Sequence, residues 1–228
     1  LDTRNVFRDL LLYIVHNFSL PGTPPAKHWP YTPEQNRAFY EMFTAWVGIM
    51  KRQIARHGFY DAFGDLFMAE LQRQGQFLTP EEIADLCQRI VSDHGRKVNA
   101  LYDPAAGSGR MLIASRTYHP RSYLVGWDID YTCCLMCVCN FLMNSCVGEV
   151  ACINTISMDD FRGAWLVNEA YYRTGMPSVR WLDEQEYVRF RRADIPPYVF
   201  FLDSKGYDDY FRWRETWWRI SALCHNRP

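Results

Sequence analysis

The spacing of apolar positions divides the chain into two regimes. Over the first part the period is helical. Residues 5–18 predict a helix, and residues 33–57 carry Phe39, Met42, Phe43, Trp46, Ile49, Met50 and Ile54 at helical spacing. Residues 61–74 predict a third helix. These aromatic residues read first as core packing and second as an aromatic cofactor box. At 75–91 the signal sharpens: Thr79 is an expected N-cap, Pro80 suits the first helical position, and Glu82 closes a Thr-x-x-Glu capping box. Ile83, Leu86, Ile90 and Val91 give that helix an apolar face.

From about residue 98 short apolar runs alternate with helical ones. Strands are expected at 98–107, 122–130, 149–157 and 162–172, with helices at 108–118 and 131–145. Strands alternating with helices predict βαβ units on a parallel sheet. The expected fold class is α/β, with a helical N-terminal region over 1–70, a core over 71–172 and a tail over 173–228. That tail completes the sheet or forms an interface. It offers one strand candidate, "YVFFL" at 198–202, and an amphipathic stretch at 208–223, where arginines alternate with aromatic and acidic residues.

Composition narrows the classes. Hydrophobic residues make up 48% and aromatics 16%, so a sizeable core is easily built. The formal net charge of −1 gives no global attraction for nucleic acid. No run reaches the ~18 apolar residues of a membrane span, and none resembles a signal peptide. A cytoplasmic protein is expected, although a start at "LDTRN" leaves a missing natural N-terminus open. Five of the eight cysteines, Cys133, Cys134, Cys137, Cys139 and Cys146, fall within 133–146, where Cys133, Cys134 and Cys137 lie on consecutive turns of one expected helix without a nearby His. They read as small buried hydrophobes in a reducing compartment, and no metal site is expected.

The candidate chemistry sits in "YDPAAGSGRMLIAS" (102–115). Gly107 and Gly109 allow close backbone approach at a strand end, and the helix that follows offers free N–H groups. Leu112 stands where a dinucleotide fingerprint would have its third glycine. Asp128 ends the next strand about 20 residues on, where a ribose hydroxyl needs an acceptor. Asp103 would repel a pyrophosphate but suits a ligand with an amino group. S-adenosylmethionine combines an ammonium, a ribose and an adenine, and so fits this set.

"GQFLTP", "DPAAGSGRMLIAS", "GWDIDYTC" and "INTIS", in this order, resemble the adenine-N6 DNA methyltransferases, most of all the modification subunits of type I restriction-modification systems. The resemblance covers roughly 60–170 and implies a Rossmann-like S-adenosylmethionine-dependent methyltransferase fold, with either a complete or a truncated sheet. It implies that Phe77 and Thr79 lie against the cofactor. Asp103, Ala105, Gly107 and Gly109 would surround its methionine part, Asp128 its ribose, and Ile129 and Asn154 its adenine. Ala106 stands where the family usually has Cys.

The family's Asn-Pro-Pro-Tyr loop corresponds to "NEAY", in which Asn168 and Tyr171 keep the outer positions while Glu169 and Ala170 replace both prolines. By resemblance Asn168 and Tyr171 would be the catalytic pair, holding the target amino group and stacking on the flipped base. Two readings stay open: an adenine-N6 DNA methyltransferase, or a catalytically inactive cofactor-binding module or partner subunit of a DNA-modification system. Methylation of RNA or protein is a third. DNA is the implied partner, reached directly or through another subunit in a homo- or hetero-oligomer, because the chain has no room for a target-recognition domain.

Overall fold

The computed structural model describes residues 2–20, 31–71, 76–92, 98 and 100–192. The strand expected at 198–202 and the amphipathic stretch at 208–223 lie outside them.

Five strands lie side by side in sequence order: β1 Ala100–Asp103, β2 Tyr123–Asp128, β3 Gly148–Asn154, β4 Asp159–Val167 and β5 Val179–Leu182. β1, β2 and β3 are mutually parallel, as expected, because each connection carries a helix. These are α5 Arg110–Ala114, followed by a 3-10 turn at Ser115–Thr117, and α6 Tyr131–Met143. β4 departs from the expected parallel arrangement. Only residues 155–158 separate it from β3, too few for a crossover, so the chain reverses and β4 pairs antiparallel. Met158 and Asp160, both with positive φ, make that reversal. β5 is antiparallel to β4, and the link between them carries the single turn α7, Tyr171–Thr174. This gives a mixed α/β architecture consistent with a methyltransferase-like fold.

α6 is buried along its whole length from Cys133 to Leu142, because one side meets β2, β3 and β4 and the other meets α1 Thr3–Asn17. A helix covered on both sides needs no polar stripe, which explains a sequence that is apolar from Cys133 to Leu142 except for Asn140. Its cysteines are small enough for close approach: a Cβ added to Gly109 would lie 2.6 Å from the Cys137 sulfur. Burial pushes the Cys146 thiol up to about 12, and those of Cys133, Cys137 and Cys139 upward as well.

The N-terminal helices join the same core. α2 Pro33–His57 buries Phe39, Trp46 and Met50, and Trp46 stacks on Phe63 with ring centroids 4.7 Å apart. The core reading of these aromatics therefore holds. The helix expected at 61–74 is instead a short α3, Ala62–Leu66, running into a π turn at Phe67–Leu71 that buries Phe67 and Leu71.

α4 Glu81–Val91 begins two residues after Thr79. Pro80 is its N-cap, without a side-chain cap bond, so the expected capping box does not form. Its apolar face also departs from expectation: Ala84 and Gln88 turn inward, where Gln88 Nε2 donates to the Met111 carbonyl at 3.1 Å. Ile83, Leu86, Ile90 and Val91 are exposed.

The second face of the sheet is covered by α8 Glu184–Arg192, which the sequence pattern did not announce. Glu149 of β3, with no exposed surface, accepts from Tyr187 Oη (2.7 Å), Tyr123 Oη (3.0 Å) and Arg191 (3.0 Å). Burial raises this carboxyl, while Arg191 and the two tyrosines oppose the rise. Arg191 also lies over the rings of Tyr102 and Trp127, which bolts the end of α8 to β1 and β2.

Candidate functional site

Four segments meet at the C-terminal ends of the parallel strands. The turn after β1 is built by two glycines in the left-handed region, Gly107 (φ 54°) and Gly109 (φ 80°). Ala106 donates its N–H to the Trp127 carbonyl at 2.9 Å, and Gly107 donates to Asp128 Oδ2 at 2.8 Å. The other oxygen of Asp128 accepts from the Asp130 N–H at 2.8 Å. The turn is thus fastened to the end of β2 through backbone donors. Each carboxylate oxygen retains a second lone pair for a ligand.

Asp103 accepts from the Ala105 N–H at 3.0 Å, while Ala105 itself is exposed. Burial first, and the nearby charge of Asp128, push the Asp103 carboxyl above its ordinary value, with the Ala105 N–H pulling the other way. Among the described residues neither Asp103 nor Asp128 has a cationic partner within ion-pair distance. The rim therefore presents two acids that a positively charged group would stabilise.

The segment before α4 closes over this turn. A Cβ added to Gly107 would lie 2.7 Å from a Leu78 methyl, so Leu78 covers the glycine. The Thr79 carbonyl accepts from Arg110 at 3.2 Å, and Gln76 donates to Asp130 at 3.0 Å. Phe77, between them, is 77% exposed. At the end of β3, Asn154 accepts from the Ile156 and Ser157 N–H groups, and Thr155 donates to the Pro104 carbonyl at 3.0 Å. Ile129 is exposed beside Asp128. Asp103, Asp128 and Asn154 accordingly end strands, and Phe77, Thr79, Ala105, Gly107, Gly109 and Ile129 belong to the segments beside them, at this one end of the sheet.

Asn168 and Tyr171 are not brought there. β4 runs antiparallel and pairs Val167 with Gly148, so Asn168 follows at the end of the sheet where β3 begins. Its side chain has no exposed surface. It donates to the Phe141 carbonyl (3.1 Å) and the Cys146 carbonyl (2.8 Å), and accepts from the Ser178 N–H (3.1 Å). Tyr171 Oη accepts from Ser145 at 2.8 Å, beside the same end of β3, and Glu169 pairs with Arg180 at 2.8 Å. As positioned, this Asn and Tyr tie loops together and face no open surface shared with Asp103 or Asp128.

Sequence reasoning passed over Asp61 and Arg110. Asp61, 1% exposed, caps α3 by accepting from Gly64 (2.7 Å), and also accepts from Asn140 (2.7 Å), Arg110 (2.9 Å) and Ser108. Arg110 also reaches Asp65 at 2.6 Å. Burial works against the charge on Arg110, but Asp61 and Asp65 outweigh it and raise its pKa. An Asp before "AFGDL" signals a helix cap, but nothing in the sequence pairs it with an arginine 49 residues away.

Among the described residues no set of three or more His, Cys, Asp or Glu side chains could hold a metal ion, and no helix is long and apolar enough to cross a membrane. No curated protein and no solved structure matches the chain. Residues 59–171, from the start of the α3 region through the glycine turn to Tyr171, match the family model described as N-6 DNA methylase, and this match supports placing that segment with the adenine-N6 DNA methyltransferases.

Proposed function

We propose that the chain binds S-adenosylmethionine at the C-terminal ends of β1, β2 and β3 as an adenine-N6 DNA methyltransferase-like protein. One observation carries this reading: two acids without a cationic partner among the described residues, Asp103 and Asp128, flank a glycine turn whose Gly107 N–H is already fixed to Asp128. Asp103 would hold the cofactor's ammonium and Asp128 its ribose hydroxyls. Gly107 and Gly109 admit the methionine part against the backbone, and Phe77 and Ile129 offer apolar surface to the adenine. The acceptor set fits such a ligand, since the two carboxylates can accept from its ammonium and its hydroxyls. The bound cofactor supplies an electrophilic methyl group; the protein's part is to orient it and to shield the turn from water.

The burial of Asn168 favours a second reading, a cofactor-binding module of a DNA-modification system without its own acceptor loop. In that case the groups that hold the target amine come from outside the described residues or from a partner subunit.

Titration calorimetry with S-adenosylmethionine, on the wild type and on Asp128→Ala, tests the binding. Tritiated methyl transfer to unmethylated DNA then separates the two readings. Micromolar binding that disappears in the variant supports the site. A folded wild type that takes up no cofactor overturns both readings.

A further inference from the structure

We infer that Arg110 is a positioning residue for the ligand of the glycine turn, holding the segment at 76–80 in place over it through the Thr79 carbonyl. The inference rests on the binding reading above, but its geometry stands independently. Arg110 is the first residue after Gly109 and is 5% exposed. One guanidinium donates to four acceptors: Asp61 Oδ2 at 2.9 Å, the Asp61 carbonyl at 3.3 Å, Asp65 at 2.6 Å and the Thr79 carbonyl at 3.2 Å. The two acids hold the planar fork, and its remaining donor is aimed at Thr79.

The contacts that hold the segment differ in strength. Thr79 makes no side-chain cap for α4, and Phe77 is largely exposed. Besides Arg110, the fastenings of 76–79 include Gln76 to Asp130, the Leu78 N–H to the Met68 sulfur at 3.3 Å, and Leu78 packed over Gly107. A thioether is a weak acceptor. The Arg110–Thr79 contact thus joins this wall of the site to its floor by a charged hydrogen bond at the α4 end of the segment, as Gln76–Asp130 does at its other end. Lysine could keep the charge beside Asp61 but cannot reach both acids and the carbonyl at once, because it lacks the planar fork.

The test compares wild type with Arg110→Lys and with Arg180→Lys, which alters a different ion pair at the far end of the sheet. Two readouts are taken: amide hydrogen exchange without ligand, and calorimetric affinity for S-adenosylmethionine. In Arg110→Lys, exchange at residues 77–79 should rise while the α6 amides stay protected. The dissociation constant should rise about tenfold, the scale of one charged hydrogen bond. Arg180→Lys should change neither. Unchanged exchange at 77–79 in a folded Arg110→Lys variant overturns the inference, whether or not the wild type binds the cofactor. Raised exchange at 77–79 in Arg110→Lys, with a folded wild type that takes up no S-adenosylmethionine, keeps the mechanical role and overturns the choice of ligand. A fall in protection spread evenly over α6 assigns Arg110 a general structural role and likewise overturns the inference.

Discussion

Gly107 and Asp128 are joined by a 2.8 Å hydrogen bond from a backbone N–H to a carboxylate across 21 positions of chain. The residue expected to hold a ribose is therefore also the peg that fixes the glycine turn. Asp128→Ala should remove cofactor binding and also destabilise the protein by about 1–3 kcal/mol, since the Gly107 and Asp130 N–H groups lose their acceptor. A thermal melt alongside the titration measures both. A variant that melts like wild type would mean that the peg contributes nothing.

Gly109 tests the fit of turn to helix. Its φ of 80° and the 2.6 Å approach of an added Cβ to the Cys137 sulfur are separate obstacles. Gly109→Ala should cost about 1–2 kcal/mol for the left-handed backbone and about 1–3 kcal/mol for overpacking. Adding Cys137→Ala should recover the second part and leave the first. Denaturant unfolding of the three variants gives the coupling, and strict additivity would contradict the contact.

Asp103 gives a pH prediction. Its carboxyl is held above the ordinary value by burial, so between the two values the unfolded chain is ionised while the fold is still protonated. Stability therefore falls as pH rises through that window and stays lower above it. Asp103→Asn should melt higher than wild type near neutral pH and converge with it below the window, while losing affinity for a ligand bearing an ammonium. In the wild type, that affinity should weaken on acidification as Asp103 gains its proton. Melting curves and titrations over the acid-to-neutral range check the sign.

Asn168→Ala should be strongly destabilising, by about 2–4 kcal/mol, because two carbonyls and one N–H lose a buried partner. Alanine also accepts the position's φ of 59° less readily than asparagine does. Cofactor affinity should not change. A loss of binding in a variant that still folds would return Asn168 to the site.

The glycine turn and the strand ends beside it were legible because their signals are local. A glycine turn between an apolar run and a helix, and an acid at the next strand end, need no knowledge of distant pairing. The direction of β4 was not legible, because residues 162–172 spell a strand equally well either way. The short link after Asn154 decides the direction. Thr79 had every feature of a cap, but the chain at Pro80 is extended and the helix starts later. β5 and α8 were missed because VRWL is short and α8 is rich in charge, its apolar contribution resting on Tyr187 and Phe190. Asn168 matched a motif by letter while the fold uses it as a clamp.

The close fit of α6 has a practical consequence. Cys133, Cys134, Cys137, Cys139 and Cys146 are all buried, and burial raises each thiol, whereas Cys87 on α4 is partly exposed. A thiol reagent can reach the four on α6 only when the helix leaves its seat between α1 and the sheet, and Cys146 only when the link from α6 to β3 opens. Their labelling rate is therefore a clock for opening of the whole core, built into the chain without any engineered probe, and a ligand that seals the glycine turn should slow it.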